Sequence, residues 1–296
     1  MTTANSINQY ASLFPPYLKK IETAIKKSIP NFGPETPIRK ACEYALLNGG
    51  KRFRPVITLM VAEALNKNAD VMQAALTVEY FHTASLVADD LPCMDDDDDR
   101  RNQPALHKAF GEGMALLVTY ALIAEGYRCL YTNAASLANS SLPHANEHEK
   151  ICLLALENAT QNTGLCGATG GQFMDICPPD LSLETIKEII HKKTTTLFEI
   201  SFVLGWLYGG GDIKKIDILK RAAKHFGLAF QIADDIGDID QDITNERSVN
   251  VATLFGLEEA KKMFHEETEG YLNALEELEI KSSNLQTLIK TLLPES

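Results

Sequence analysis

Cysteine pairs, basic charge and β-patterning are scarce in this chain, and each shortage removes a class of protein. The six cysteines (Cys42, Cys93, Cys129, Cys152, Cys166, Cys177) form no Cys-x-x-Cys pair and no regular spacing. They read as free thiols in a reducing cytosol rather than as a disulfide framework. Lys and Arg number 28 against 40 Asp and Glu, a net charge of −12. That balance argues against nucleic-acid or anionic-membrane binding, which needs a basic surface. Val, Ile and Thr never alternate with polar residues long enough to make a sheet. No uncharged apolar run approaches the ~20 residues of a membrane span. The opening MTTANSINQYASLFPPYLKK also lacks the basic-then-apolar order of a signal peptide. A soluble, cytoplasmic protein with no membrane span is expected.

What remains is helical periodicity over most of 296 residues, enough chain to bury a sizeable core. The spacing predicts a first helix over Ile7–Ser28, interrupted at Pro15-Pro16, and a second over Ile38–Leu47, stopped by Asn48-Gly49-Gly50. Further helices are predicted over Pro55–Asn66, Val71–Leu91, Gly113–Ser136, His144–Gly164 and Cys166–Asp175. A long one is expected over Leu183–Tyr208, then Asp212–Asp238, Leu257–Leu278 and Ser283–Leu293. Several are apolar around most of their circumference, as central members of a bundle are. With no repeat and no long linker, the expectation is a single all-α domain, 1–296, of ten or more helices.

Against this background two acidic stretches stand out. Asp89–Arg101 holds seven aspartates and two arginines in thirteen residues, and Phe230–Asp238 holds Asp234, Asp235 and Asp238. Both follow apolar, helix-spaced segments, and i/i+4 spacing puts Asp234 and Asp238 on one face. Solvated acidic runs are common, but two ending buried helices are hard to assign to solubility. Crowded carboxylates need a cation, and oxygen-only ligands favour Mg²⁺ over softer metals. Arg100 and Arg101 then read as phosphate clamps. Upstream, Gly49-Gly50 precedes Lys51 and Arg54 at a helix start, a geometry suited to an anion. His82 lies two helical turns before Asp89. Gly170-Gly171-Gln172 allows close helix approach beside a polar group, and Lys193-Thr194 places a cation and a hydroxyl inside an apolar helix.

In this order, GGKRFRP, HTASLVADDLPCMDDDDDRR, CGATGGQFMDI, HKKTTTLF and FQIADDIGD resemble the trans-isoprenyl diphosphate synthases, a family that includes farnesyl and geranylgeranyl diphosphate synthases. The resemblance runs from about Arg39 to Gly256. It implies an isoprenoid-synthase bundle around a deep central cavity. It also implies Mg²⁺-dependent condensation of isopentenyl diphosphate with an allylic diphosphate (dimethylallyl, geranyl or farnesyl), in a homodimer. Three Mg²⁺ ions are implied, held by Asp89, Asp90, Asp95 and Asp234, with Asp235 and Asp238 beside them. Arg100, Lys193 and Gln231, with Thr194 and Gln172 nearby, would hold the allylic diphosphate and assist its departure. Lys51, Arg54, His82 and Arg101 would hold isopentenyl diphosphate. Product length would be set along the helix before Asp89: Ala84 and Ser85 are small, and Phe81 and Tyr80 lie one turn deeper. That favours geranylgeranyl diphosphate (C20) over farnesyl diphosphate (C15). Asp96–Asp99 extend past the matched positions and receive no ligand role.

Some positions depart from the family pattern. Residues 240–256 contain no lysine where members usually carry several, leaving Arg247 as the candidate replacement. Thr119-Tyr120-Ala121-Leu122 stands for GDAL, Lys193-Thr194-Thr195 for KTG, and Gly237 weakens the last helical turn of DDIGD. A farnesyl-only synthase, a class I terpene cyclase and a weakly active regulatory paralogue subunit share parts of this pattern.

Overall fold

The computed structural model describes residues 13–239 and 250–292, so Arg247 lies outside the described residues. The chain starts with α1 (Pro15–Ser28). Leu13 is helical and Phe14 bends the chain, so the expected break falls at Pro15-Pro16, which the first turn of α1 tolerates because it has no use for the N–H that proline lacks; residues 7–12 lie outside the described residues. There follow α2 (Pro37–Leu47), α3 (Phe53–Ala64) and α4 (Met72–Asp89). Beyond the acidic run lie α5 (Leu106–Phe110), α6 (Glu112–Ala138), α7 (His148–Thr163) and α8 (Ala168–Ile176). The chain continues through α9 (Leu183–Ile190), α10 (Thr196–Tyr208) and α11 (Ile216–Gly237). Last come α12 (Val251–Phe255), α13 (Leu257–Glu277) and α14 (Ser283–Lys290). The all-α expectation holds; the short α5 and α12 carried no periodic signal.

Helix α10 is the axis. Every residue from Thr196 to Tyr208 except Glu199 is buried, and α3, α4, α7 and α11 pack around it. Glu199 is answered from α7, where Asn158 and Asn162 both donate to Oε1, at 2.7 and 3.0 Å. Phe198, Phe202, Phe226 and Tyr271 pack through the centre in edge-on and tilted pairs, with ring centroids 5.2–6.1 Å apart. Such contacts add about 0.5–1.5 kcal/mol per pair beyond area burial.

The long helix expected over Leu183–Tyr208 is instead two α-helices joined by a π-helical turn, His191–Thr195. Two glycines explain how it is gripped. A β-carbon on Gly171 of α8 would stand 2.3 Å from the Lys193 amide nitrogen, and one on Gly227 of α11 would stand 2.8 Å from Thr195 Cα. Only bare backbone fits on both sides, and the wider turn projects Lys193 and Thr194 toward the cavity described below. π-Bulges recur at functional sites for this reason.

The acidic run folds as a small hairpin, Asp99–Arg100 against Gln103–Pro104, the only strands among the described residues. Its reversal uses Arg101 and Asn102 in the left-handed region (φ 57° and 62°). Helix α6, with 27 residues, is long and apolar enough by length and composition to cross a membrane, although its charged residues leave no uncharged run of the length a span needs. It carries Glu125 and Arg128 as an ion pair, and Ala115, Val118, Leu122 and Gly126 on one face are buried against α4.

Candidate active site

A cavity of about 1530 Å³ opens between α3, α4, α6, α8, the π turn and α11, with the hairpin at its mouth. Asp89 and Asp95 line it from one side, and Asp234 and Asp235 from the other. Burial, together with the charges of Asp95 and Asp90, lifts the Asp89 carboxyl to about 7, although Lys193 pulls the other way. A carboxyl held so far above its ordinary range marks a site short of positive charge. The donor set is oxygen only, which fits a hard divalent cation.

Asp90 and Asp238 stand apart from this group. Asp90 is buried, does not line the cavity, and accepts from Arg100 Nε at 2.8 Å. Arg100 Nη2 binds it as well and reaches Asp97 Oδ2 at 2.8 Å. Asp90 therefore anchors the arginine that faces the cavity. Asp238 is exposed and outside the lining. Asp235 lines the cavity but is also structural, accepting from Val251 N at 2.8 Å and Gln231 Nε2 at 2.8 Å. Gln231 in turn accepts from Thr194 Oγ1 at 2.9 Å, which ties the π turn to α11.

The cationic wall comes from four elements. Lys193 Nζ meets Asp175 Oδ2 of α8 at 2.5 Å. Burial depresses its ammonium, but Asp175 and Asp89 more than offset that and hold it above the ordinary lysine value. Arg54 stands 4.5 Å over the Phe198 ring and donates from Nη1 to His82 Nε2 at 3.3 Å. Burial draws Arg54 down to about 10, so it stays charged near neutrality. Burial and four surrounding arginines push His82 well below its ordinary value. It is neutral, accepts at Nε2 and carries its proton on Nδ1. Arg101 donates to Asn48 Oδ1 at 3.0 Å and to Gly49 O, and its guanidinium lies where a β-carbon on Gly50 would be. Exposed Lys51 completes the wall, and Gln172, with no protein partner at either amide atom, lines the cavity as well.

Arg52 is a residue that sequence reasoning passed over. Its side chain is fully buried, clamped by Glu22 at 2.8 Å and by Glu79 and the Leu46 carbonyl. It fixes the turn that presents Lys51 and Arg54; nothing in GGKRFRP separates this arginine from its neighbours.

The apolar branch of the cavity runs back along α4. Phe81, Ala84, Ser85, Ala88 and Asp89 line it as one helical stripe. Thr119 and Ile123 of α6 face them, a wall the sequence did not reveal. The Phe81 ring rests on Gly126, beside Tyr127 at 5.1 Å between centroids. Tyr127 Oη lies 3.2 Å from Thr163 Oγ1. Tyr80, expected as an alternative floor, points away: it is fully buried, hydrogen-bonded to Ser28, with its ring 5.5 Å from that of Phe32.

An all-α bundle with two acidic clusters at the mouth of a cation-lined, apolar-floored cavity defines a class of proteins, and the comparisons agree. The family model described as polyprenyl synthetase matches residues 35–249, and the chain belongs to that family, the trans-isoprenyl diphosphate synthases. It is 39% identical over 235 residues to geranylgeranyl pyrophosphate synthase 4 of Arabidopsis thaliana, covering 76% of this chain and 60% of that protein. It is also 39% identical over 206 residues to the chloroplastic geranylgeranyl pyrophosphate synthase of Capsicum annuum, covering 68% of this chain and 53% of that one. The chain thus spans little more than half the length of these relatives. Among solved structures, a geranyltransferase from Legionella pneumophila superposes with a TM-score of 0.82 at 26% identity, covering 96% and 97% of the two chains. A FPP/GFPP synthase from Zymomonas mobilis gives 0.77 at 28%, covering 97% and 98%.

Proposed function

We propose that this chain is a short-chain trans-prenyltransferase, joining isopentenyl diphosphate to an allylic diphosphate and favouring geranylgeranyl diphosphate as product. The supporting observation is a single cavity that combines facing acidic clusters, two sets of cations and an apolar branch. A cyclase has one diphosphate to hold and no use for the second cationic set of Lys51, Arg54 and Arg101 beside neutral His82.

Asp89, Asp95 and Asp234 would hold Mg²⁺, three ions with the allylic substrate, and bound Mg²⁺ would supply charge stabilisation for the departing pyrophosphate. Lys193 and Arg100 face the same leaving group and stabilise the charge that develops there, while Gln231 positions Thr194. The allylic C–O bond ionises to a delocalised cation. The double bond of isopentenyl diphosphate, oriented by Arg54, Arg101 and Lys51, attacks that cation, and pyrophosphate accepts the proton that is lost. Neutral His82 donates from Nδ1 without adding charge near the cation. Apolar walls exclude the water that would quench it.

The test is pyrophosphate release from isopentenyl plus allylic diphosphate, with and without Mg²⁺. Release requiring both substrates and the metal supports the proposal. Release from the allylic substrate alone points to a cyclase, and none at all to a non-catalytic subunit.

A homodimer and a cytoplasmic location belong to the same proposal. Helix α6 presents Leu117 (51% exposed), Tyr120 (65%) and Tyr131 (69%) to solvent on the side away from its buried face, an apolar patch of the kind that marks an interface. Tyr120→Glu is expected to shift the protein from dimer to monomer in light scattering at micromolar concentration. An unchanged mass would remove α6 from the interface.

A further inference from the structure

The aspartates beyond the family motif have a place of their own. Along the hairpin entry Asp95 and Asp97 line the cavity, whereas Asp96 and Asp98 do not. The left-handed turn at Arg101 and Asn102 folds the chain back, and Ala105 N donates to Asp98 O at 2.8 Å. The residue two places further on is His107, the second of α5. One ligand atom each from Asp96, Asp98 and His107 lie within 4.8 Å of one another. The His107 side chain is almost wholly inside the protein, with the residue 6% exposed, and neither ring nitrogen has a hydrogen-bond partner. A buried imidazole with both nitrogens unanswered, beside two carboxylates, is an unusual expense in a folded protein.

We propose that Asp96, Asp98 and His107 form a second cation site, separate from the acidic pair in the cavity, that binds a divalent transition-metal ion such as Zn²⁺. The donor set decides the class. An imidazole nitrogen selects against Mg²⁺ and for Zn²⁺ and its neighbours, and three protein ligands leave a fourth position for water. Lys108 Nζ now contacts Asp98 Oδ1 at 2.5 Å. This exposed lysine competes for one oxygen only, and the other carboxylate oxygen remains for the ion. Occupancy would tie the hairpin that carries Asp95 and Arg100 to α5, so the site braces the mouth of the cavity without facing it.

Co²⁺ titration of the full chain, stripped with chelator and held in excess Mg²⁺, tests this by visible absorption. The expected result is one equivalent of Co²⁺ with d–d bands, no thiolate charge-transfer band, and displacement by Zn²⁺. His107→Gln and Asp98→Asn should each weaken binding by more than the roughly 10–100-fold that loss of an outer-shell partner costs. Asp89→Asn should leave it intact. The Asp98 side chain is 73% exposed, so that variant folds whatever becomes of the histidine variant. Wild-type binding in Asp98→Asn, a thiolate band from any of the six cysteines, loss of the signal in Asp89→Asn, or no saturable Co²⁺ binding would each overturn the proposal.

Discussion

Asp89→Asn is expected to lose roughly 10²–10³-fold in turnover, on the scale of removing one preorganised charge-stabilising group, while its metal-free form melts above the wild type in alkaline buffer. Both follow from the burial of one carboxyl. In the unfolded chain this group titrates near 3.8, and in the folded protein at about 7. Its contribution to stability is full below the unfolded value and is lost as pH rises through the folded one, because between the two the native state holds a proton the unfolded chain has shed. An asparagine never ionises, so the variant escapes the loss. Thermal melts at about pH 5 and about pH 8 measure this: the variant's advantage should be larger at the higher pH. Added Mg²⁺ should stabilise the wild type and leave the variant nearly unmoved, because a ligand stabilises only the state that binds it. An Asp89→Asn protein that turns over normally, or one destabilised equally at both pH values, would remove Asp89 from the metal site.

The same carboxylate shows what the sequence made legible. Carboxylates crowded at the ends of two apolar helices are a one-dimensional signal, because charge repulsion needs no coordinates to recognise. The order of the longer helices was legible for a similar reason, since periodicity reports directly which face is buried. What escaped was set by contacts between distant segments. The π turn depends on Gly171 and Gly227 closing on it from either side, and neither glycine is near it in sequence. Arg52 and Arg54 look alike in GGKRFRP and both border the cavity, yet the first is locked in ion pairs with Glu22 and Glu79 while the second rests on the Phe198 ring and donates to His82. Asp90 looked like its neighbour Asp89. The helix turns about 100° between them, so one meets the cavity and the other meets Arg100. His107 meets Asp96 and Asp98 only because a two-residue hairpin brings it back.

Product length should respond to two substitutions on α4 in opposite directions. On the proposed activity, the prenyl chain would grow from the acidic mouth toward Phe81, past Ala84 and Ser85, which are too small to stop it. A helical turn is ~5.4 Å, about the room for one more isoprene unit, so the difference between a floor at position 84 and one at position 81 separates C15 from C20. Ala84→Phe is expected to shorten the product to C15 or less. Phe81→Ala opens the floor onto Gly126 and Tyr127 and should lengthen the product beyond C20. Truncating a buried phenylalanine costs about 3–5 kcal/mol. The loss here should fall at the lower end, since one face of the ring already borders the cavity. Tyr80→Phe serves as the control: its hydroxyl meets Ser28 on the far side of α4, so it should alter stability and not product length. Chromatography of the dephosphorylated products reads all three. If neither Ala84→Phe nor Phe81→Ala moves the distribution, the floor belongs to α6, and Ile123→Ala should move it instead.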